Sequence, residues 1–533
     1  VAGSKVDVNN GSYATEFKGK VTSGNFTVTK ATDITFDKAV KINTFTVTAA
    51  ENVTFLDELH GLSADAVNSI DVKVNKKFEF KDVLNVAKTM IVTAATVTAG
   101  DANTDAVTVG DAVTLNATNI TFKGNLTGKA ITVTKPKTGG TDIFEGTVKT
   151  TNGALNVAAG TLKFSNTGTA VDVNGAATLT ADSTLTISGD ATANSFTITA
   201  GDIQSDDNRT ITAKTGNIVL KTTNATVSNI GFLAANGTSS DIKFEGASVN
   251  FNKTISSKTV HFNGTDTVTL KDTLTTGGEA VLTGKNALNL AVVDSSQVTM
   301  TSTNVVASGS ITAKNGNITL NNASGATATK AQFKGALKAE SGSIILKGAG
   351  NAISLENAAT ALAQIITIDG KSFTTNTGLV ESTSTANDMT ITASETVPTN
   401  TGIKIGNGGL KSAKGIVLTG KGGTVSATGK VTAADNITVT NNGGSATFAD
   451  MDTQKDIIIT AKDITVKGTV ATTVQNFTAT ASNDLKLESS LEVKDAVNLN
   501  AANTGTTKNI ESASITLNGG DFTTGNLKAS GSL

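Results

Sequence analysis

The chain is marked first by what it lacks. Its 533 residues include no cysteine, no tryptophan, a single tyrosine, two histidines, two prolines and one arginine. Without cysteine, neither a disulfide framework nor a metal–thiolate site can form. With Arg209 as the one guanidinium, the chain cannot recognise phosphate or carboxylate groups repeatedly through the bidentate arginine fork.

The charge balance excludes a further class of partner. The 43 basic and 45 acidic residues give a formal net charge of −2. Proteins that bind nucleic acid need a concentrated positive face, usually rich in arginine. We therefore predict no nucleic-acid partner. No apolar run approaches the roughly 20 residues that span a bilayer as a helix, so we also predict no transmembrane segment.

What the chain has in abundance is a short repeat. Residues 210–220 read TITAKTGNIVL, residues 310–320 read SITAKNGNITL, and residues 336–346 read ALKAESGSIIL. Each copy holds two short β-type runs separated by small or polar residues and a glycine. Repetition of so small a unit indicates thin structural layers stacked on one another.

The spacing of alternating triplets predicts the fold. Phe26 and Phe45 are 19 residues apart, whereas Ile318 and Ile344 are 26 apart. Triplets of apolar, polar and apolar residues, bounded by Gly, Asn and Asp, indicate strands of three to five residues. A period that drifts between these values predicts an all-β, parallel β-solenoid with coils of roughly 20 residues. The alternative, tandem immunoglobulin-like sandwiches, fits the 100-residue offset of the first two copies but not the shorter period.

Proline usage supports the solenoid. Each strand of a solenoid pairs with the coils before and after it, so a proline inside a strand removes a ladder hydrogen bond. Two prolines in 533 residues agree with that restriction. The sequence predicts one elongated solenoid over residues 1–533, with bends near residues 136–145 and 395–405, where Pro136 and Pro398 mark loops.

Two segments depart from the alternating pattern. Between residues 55 and 90, Leu and Val recur at helical spacing, and residues 356–364 (ENAATALAQ) are rich in alanine. We predict minor helical insertions in both places. Residues 55–92 are interpreted as an irregular insertion or cap, with a docking element for a partner as the alternative.

The repeat unit resembles those of a known protein class. The pattern Φ-x-A-x-x-G-x-Φ-x-L at residues 211–220, 311–320 and 337–346 resembles the repeats of filamentous-haemagglutinin-type exoproteins. More broadly, the chain is similar to the passenger regions of bacterial autotransporters. The resemblance implies a right-handed parallel β-helix at the bacterial cell surface, used for adhesion or as a scaffold. By composition alone the chain also resembles bacterial surface-layer proteins.

Few residues could carry catalysis. The best candidate is Asp206-Asp207-Asn208-Arg209, in which two carboxylates adjoin the single arginine. One interpretation is a general acid and base with a clamp for a substrate carboxylate. The other is a polar corner whose Asp and Asn side chains bond their own backbone. We favour the second, since no histidine and no aromatic sugar platform lies nearby, and predict neither enzymatic activity nor catalytic residues.

Metal binding has equally little support. His60 and His261 each lack a second ligand at metal-binding spacing, and His261 should point outward from its strand. Asp101, Asp105 and Asp111 could supply oxygen ligands for Ca²⁺, although the spacing of a calcium loop is missing. We predict no cofactor, with calcium at these three aspartates as the alternative. The glycine-rich residues 406–411 and 420–423 are predicted corners rather than phosphate loops.

These observations predict a non-enzymatic extracellular structural protein. It would form a cell-surface rod, fibre or layer through stacked coils and contacts between copies of the chain. One alternative is an adhesin that binds receptors or glycans. Another is a surface-layer lattice subunit, and a polysaccharide lyase or hydrolase is the remote one.

Overall fold

A computed structural model describes residues 2–62, 65–135, 139–224, 227–322 and 330–533. Over these residues the fold is all-β with no helix, a parallel β-solenoid of about 26 turns with coils of about 20 residues. The fold class predicted from the alternating triplets is therefore confirmed. The chain divides into two compact units, Val1–Gly264 and Thr265–Leu533, and each consists of stacked coils.

The strands of the first unit are short and follow one another closely. In chain order they are β1 (Ala2–Asn9), β2 (Thr15–Phe17), β3 (Val21–Lys30), β4 (Asp33–Phe36), β5 (Val40–Phe55), β6 (Leu59–His60), β7 (Ser69–Phe80), β8 (Leu84–Val86), β9 (Met90–Ala99), β10 (Val107–Val109), β11 (Ala112–Phe122), β12 (Leu126–Gly128), β13 (Ala130–Thr134), β14 (Thr141–Phe144), β15 (Val148–Thr150), β16 (Leu155–Ala159), β17 (Thr161–Phe164), β18 (Thr169–Val173), β19 (Ala176–Ile187), β20 (Asp190–Ala193), β21 (Ser195–Ser205), β22 (Thr210–Ala213), β23 (Ile218–Thr222), β24 (Val227–Ile230), β25 (Phe232–Ala235), β26 (Asp241–Gly246), β27 (Ser248–Phe251), β28 (Ile255–Ser257) and β29 (Thr259–Gly264).

The second unit has the same succession of closely spaced strands. Its strands are β30 (Thr267–Leu270), β31 (Leu274–Thr276), β32 (Glu279–Leu290), β33 (Val293–Ser295), β34 (Gln297–Ala307), β35 (Ile311–Ala313), β36 (Ile318–Asn322), β37 (Lys330–Phe333), β38 (Leu337–Ala339), β39 (Ser343–Lys347), β40 (Ala352–Leu355), β41 (Ala361–Ala363), β42 (Ile365–Gly370), β43 (Ser372–Thr375), β44 (Val380–Ser382), β45 (Met389–Ala393), β46 (Thr401–Ile405), β47 (Leu410–Ser412), β48 (Ile416–Gly420), β49 (Thr424–Ala427), β50 (Val431–Ala433), β51 (Ile437–Phe448), β52 (Met451–Asp452), β53 (Ile457–Val466), β54 (Asn476–Ala481), β55 (Leu485–Leu487), β56 (Leu491–Glu492), β57 (Ala496–Thr506), β58 (Ile510–Thr523) and β59 (Leu527–Ser532).

Each coil presents three strand-bearing faces, and one of them is built from the shortest strands. We call this the narrow face; in the second unit it includes β31, β33, β35, β38, β41, β44, β47, β50 and β52, each paired in parallel with the next. A typical narrow-face strand buries its first and third residues and turns its second outward, as in β44. One outward side chain per coil therefore forms a single column along this face.

Parallel pairing of equivalent residues sets the core. Phe26 pairs with Phe45, and Ile318 pairs with Ile344, so both predicted periods correspond to neighbouring coils. Inward positions hold Val, Ile, Leu, Phe and Ala, while outward positions hold mostly Thr, Lys and Asn. The β-branched threonines suit an exposed pleated surface. The core is therefore a set of apolar columns that run from coil to coil.

Aromatic stacking reinforces one column at the start of the chain. The Phe36 ring lies between those of Phe17 and Phe55, with centroid distances of 5.0 and 4.6 Å and interplanar angles of 10° and 7°. Phe36 itself is buried. Stacked rings of this kind add stability beyond the apolar area that they bury.

The eleven-residue repeat corresponds to a narrow-face strand, a corner and the following strand. The copies at 310–320 and 336–346 lie in neighbouring coils, where Ile311 pairs with Leu337. At the corner, the Asn317 side-chain oxygen accepts a hydrogen bond from the backbone N–H of Ser343 at 2.8 Å. Asn217 makes the equivalent bond to the N–H of Asp241 at 2.9 Å. The repeated asparagine thus joins one coil to the next.

The predicted helices are wrong. Within residues 55–90 the described chain forms β6, β7 and β8, and Leu59 pairs with Leu84 in the core of the narrow face. Residues 356–364 form a turn and then β41, whose Ala361 and Ala363 point inward. Two inward residues on one face followed by a corner mimic helical spacing, and alanine fits a crowded inward position as well as a helix.

The proline loops have separate outcomes. Pro398 lies in a turn where the N–H of Asn400 bonds the carbonyl of Val397 at 3.0 Å, so the predicted loop is confirmed. Pro136 lies outside the described residues. The bends near 136–145 and 395–405, and the continuity of one solenoid over 1–533, stay predictions.

Replacing Phe36 with alanine should destabilise the first coils by about 3 kcal/mol or more, because a large cavity would open between two stacked rings. Hydrogen exchange of the backbone amides in β2 to β5 measures this local loss, since solenoid stability resides in neighbouring coils. The matched control is Thr35→Ala, the adjacent half-exposed residue, which should change protection by under about 1 kcal/mol. Equal effects of the two substitutions would contradict the stacking argument.

Candidate functional site

The acidic corner at residues 206–209 is held by bonds to its own backbone and to neighbouring coils. The Asp206 carboxylate accepts a hydrogen bond from the N–H of Asn208 at 2.8 Å, and Asp207 accepts one from the Asn252 side chain at 2.7 Å. Both aspartates are exposed. This is the arrangement of a polar corner, with the carboxylates satisfied locally.

The single arginine does not clamp that acidic pair. Its guanidinium lies 3.8 Å from the carboxylate of Asp190 in the preceding coil, an exposed ion pair. Pairs of this kind contribute little to stability. Arg209 therefore has a partner outside the proposed acid–base set.

The two histidines lie apart, each beside an acid. His261 stands outward on β29, as predicted, with Nδ1 3.0 Å from both carboxylate oxygens of Asp241. His60 lies on β6 with Nε2 2.6 Å from Glu58. Among the described residues, neither histidine belongs to a group of three or more His, Cys, Asp or Glu side chains.

The aspartates proposed for calcium do not converge. Asp105 folds back on its own loop and accepts hydrogen bonds from the N–H groups of Asp101 and Ala102 at 2.8 and 2.6 Å. Burial alone would raise the pKa of Asp105, but these N–H donors hold it below its usual value. Asp111 lies 3.7 Å from the ammonium of Lys129 instead.

The described residues contain no group of three or more His, Cys, Asp or Glu side chains that could hold a metal ion. Nor do they include a helix with the length and apolar character needed to cross a bilayer. The glycine-rich residues 406–411 lead from a turn into β47, which agrees with the predicted corner.

Concave surface is found on the narrow face. In the first unit, a hollow of about 250 Å³ is lined by Lys41, Glu58 and His60. In the second unit, hollows of about 380 and 320 Å³ lie over β44 to β52 and over β56 to β59. Outward side chains of neighbouring coils line all three.

The largest of these hollows is lined by paired charges. Its floor carries Glu381, Lys411, Thr432 and Asp452, the outward residues of four successive coils. Glu381 and Lys411 form an ion pair at 2.7 Å, and Lys430 donates to Asp452 at 2.7 Å. The Lys430 hydrogen bond holds the pKa of Asp452 below its usual value, which leaves this acid ionised at neutral pH.

A floor of this kind suits electrostatic contact rather than proton transfer. General acid catalysis needs a carboxyl group whose pKa is raised toward the working pH. The pKa of Asp452 is lowered instead, and Glu381 forms an ion pair with Lys411. The hollow offers fixed charges of both signs and a threonine hydroxyl.

One buried acid was not predicted from the sequence. Asp142 occupies an inward position of β14, between Ile120 and Leu162 of the adjoining coils, and is only 1% exposed. Neither carboxylate oxygen has a partner with hydrogen-bond geometry. Burial raises the pKa of Asp142 to about 7, against the smaller opposing effects of the Ile120 backbone N–H and the Lys135 ammonium. The signal was present in the sequence, since TDIF at 141–144 places an acid where the neighbouring triplet ITF at 120–122 has isoleucine.

Asp142 should make stability depend on pH. Its pKa is raised in the folded state, so its contribution is fully present below about pH 4 and is lost as the pH rises through about 7. The loss amounts to about 4 kcal/mol at most, the free-energy equivalent of raising the pKa of Asp142 from the ordinary value of an aspartate to about 7. Chemical denaturation between pH 4 and pH 8 should show wild-type stability falling, and Asp142→Leu should abolish that fall and stabilise the protein at pH 8.

The control for this experiment is Asp101→Asn, which removes an exposed carboxyl group from the same region. It should retain the wild-type dependence of stability on pH. If Asp142→Leu also retains it, Asp142 does not remain protonated inside the core.

No family model matches the chain, and neither a curated protein nor a solved structure matches it. The resemblance to filamentous-haemagglutinin-type repeats therefore stays a prediction.

Proposed function

We propose that this chain is a non-enzymatic structural protein of the cell exterior, whose stacked coils build a rod, fibre or layer through contacts between copies. The observation that carries the proposal is the composition of the outward surface. Coil after coil presents Thr, Asn, Lys and paired acids, while the best catalytic candidate, residues 206–209, bonds its own backbone and neighbouring coils.

The fold is consistent with such a role. In each unit the stacked coils present a regular surface, and each coil contacts mainly its neighbours. Regular surfaces of this type serve well as scaffolds, since their exposed groups recur at the spacing of the coils.

An extracellular location is supported by two sequence features. Proteins without cysteine cannot form premature disulfides during export in an oxidising environment. The unit at 211–220, 311–320 and 337–346 is also similar to repeats of secreted surface proteins, and two of its copies stack in adjacent coils.

Electron microscopy of the purified full-length chain tests the proposal. We expect rods, fibres or ordered arrays whose abundance increases with protein concentration. Two-dimensional arrays would identify the surface-layer form of this role, and fibres the filamentous form. Compact, monodisperse globules at all concentrations would contradict it.

Activity measurements test the non-enzymatic part. Wild-type protein, Asp206→Ala and Asp207→Ala should be equally inactive on acidic polysaccharides, because both carboxylates serve a polar corner. A wild-type degradation activity that either substitution abolishes would identify an enzyme instead.

A second candidate, an adhesin, is favoured by the distribution of exposed apolar side chains. Large hydrophobic residues are exposed at eight described positions, and four of these fall within residues 55–92: Leu56, Leu62, Val83 and Ile91. Exposed apolar groups in one region often mark a protein contact.

If the exposed apolar side chains of residues 55–92 bind a receptor, the double substitution Leu56→Ser and Val83→Ser should weaken cell binding at least about tenfold. The control Ile458→Ser, which changes an exposed apolar residue outside this region, should not.

A further inference from the structure

The outward column of the narrow face in the second unit has an ordered charge pattern. From β35 to β52, paired neighbours present one outward residue per coil: Thr312, Lys338, Leu362, Glu381, Lys411, Thr432 and Asp452. Lys338 and Lys411 are exposed, while Glu381 and Asp452 are partly exposed. The column therefore carries four charges in the order plus, minus, plus, minus. Within the same copy, Lys338 at one end is paired with Glu340 at 2.9 Å, and Asp452 at the other end with Lys430 at 2.7 Å.

The same order read in the opposite direction has an opposite charge at every charged position. When the column is inverted about the midpoint between Glu381 and Lys411, each of these two residues faces the other in the inverted copy. The same inversion places Lys338 opposite Asp452, and Leu362 opposite Thr432. Every charge from Lys338 to Asp452 then meets an opposite charge.

We propose that the narrow face of the second unit, from β38 to β52, is a two-fold contact with a second copy of this chain. In this contact the two coil stacks run antiparallel, and Lys338 of one copy pairs with the partner's Asp452. The inference rests on the proposed self-association and names one surface that takes part in it. Isologous contacts of this kind need a self-complementary patch, which the column supplies.

Only one relative orientation satisfies the charges. A two-fold axis along the strand direction, passing between β44 and β47, reverses the coil order and pairs unlike charges. A two-fold axis along the coil stack would place each residue against its own copy, so that Lys338 would face a lysine. Juxtaposed like charges oppose association, so the column selects the antiparallel arrangement.

Shape agrees with charge at the position of Leu362. This half-buried leucine is the one apolar residue of the column between Lys338 and Asp452. The inversion directs it at the partner's Thr432, on the floor of the 380 Å³ hollow, whose lining includes Ala413, Ala433 and Ala434. A leucine entering a pocket of alanine and threonine side chains supplies the apolar anchor that a charged strip otherwise lacks.

The existing ion pairs within each copy are compatible with this contact. Glu381 and Lys411 are already paired at 2.7 Å, and in the dimer two such pairs would form a ring of four alternating charges. Six coils at about 4.8 Å per step give a strip on the order of 24 Å long. A strip of this size gives a weak pairwise contact.

Charge reversal at the two ends of the strip provides a sharp test, since Lys338 and Asp452 are five coil steps apart and do not pair within one copy. Sedimentation equilibrium of the full-length chain should show Lys338→Glu and Asp452→Lys each weakening dimerisation about tenfold or more. An equimolar mixture of these two variants should restore it, because both end contacts of the mixed dimer again join opposite charges.

Two further variants complete the design. Lys404→Glu reverses an exposed lysine on β46, which lies on another face, and should leave dimerisation unchanged. Leu362→Ser should weaken it without altering its dependence on salt. Circular dichroism should show that all variants keep the β fold, as expected for substitutions at outward positions.

The outcomes separate the two proposals. If copies associate but Lys338→Glu behaves like Lys404→Glu, or if the mixture fails to recover, this face is not the contact and self-association uses another surface. If the wild-type chain stays monomeric at all concentrations, the self-association in the proposed function is itself overturned.

Discussion

The structure depends above all on the parallel hydrogen-bond ladder between successive coils. Away from the two ends, strands pair with the coil before and the coil after, so neighbouring coils fix each other's backbone. This requirement keeps proline out of the strands and forces apolar side chains into continuous columns. It also explains how coils that differ by several residues in length can stack, because the additional residues are placed in corners outside the ladder.

The stacking of coils restricts residue type most strongly at the corners. At Gly342, in the third copy of the repeat, an added Cβ would lie 2.2 Å from the carbonyl oxygen of Gly316, the glycine of the copy beneath it. Side chains are therefore excluded there by backbone approach. The asparagine beside Gly316 satisfies a backbone N–H of the next coil. The repeat thus consists of two inward pairs joined by one corner, in which a glycine without a side chain stands beside a residue with a hydrogen-bonding side chain.

Much of this architecture could be predicted from the sequence, because inward positions repeat in pairs and their spacing equals one coil. Phe26 and Phe45 are examples, and the structure pairs them directly. The helices near residues 55–90 and 356–364 could not be predicted correctly, since a pair of inward residues followed by a corner resembles helical spacing. Local periodicity alone cannot distinguish the two when the neighbouring coil decides the conformation.

The candidate contact surface was less predictable than the core. Its charge pattern appears only when residues 19 to 30 positions apart, such as Leu362, Glu381 and Lys411, are placed in register. Variable corner lengths hide this register in the linear sequence. Asp142 was overlooked for a related reason, since its inward position is defined by Ile120 and Leu162 rather than by its sequence neighbours.

The stacking of two repeat copies in adjacent coils has a consequence for how the sequence of such a chain can evolve. A gene segment that encodes one whole coil can be duplicated or lost, and the flanking strands still find partners of the same type. Insertion of half a coil would instead leave ladder groups unpaired on one face. The number of coils therefore changes in whole steps. A single recombination event can lengthen or shorten a column of surface charges, or move its charges by one coil.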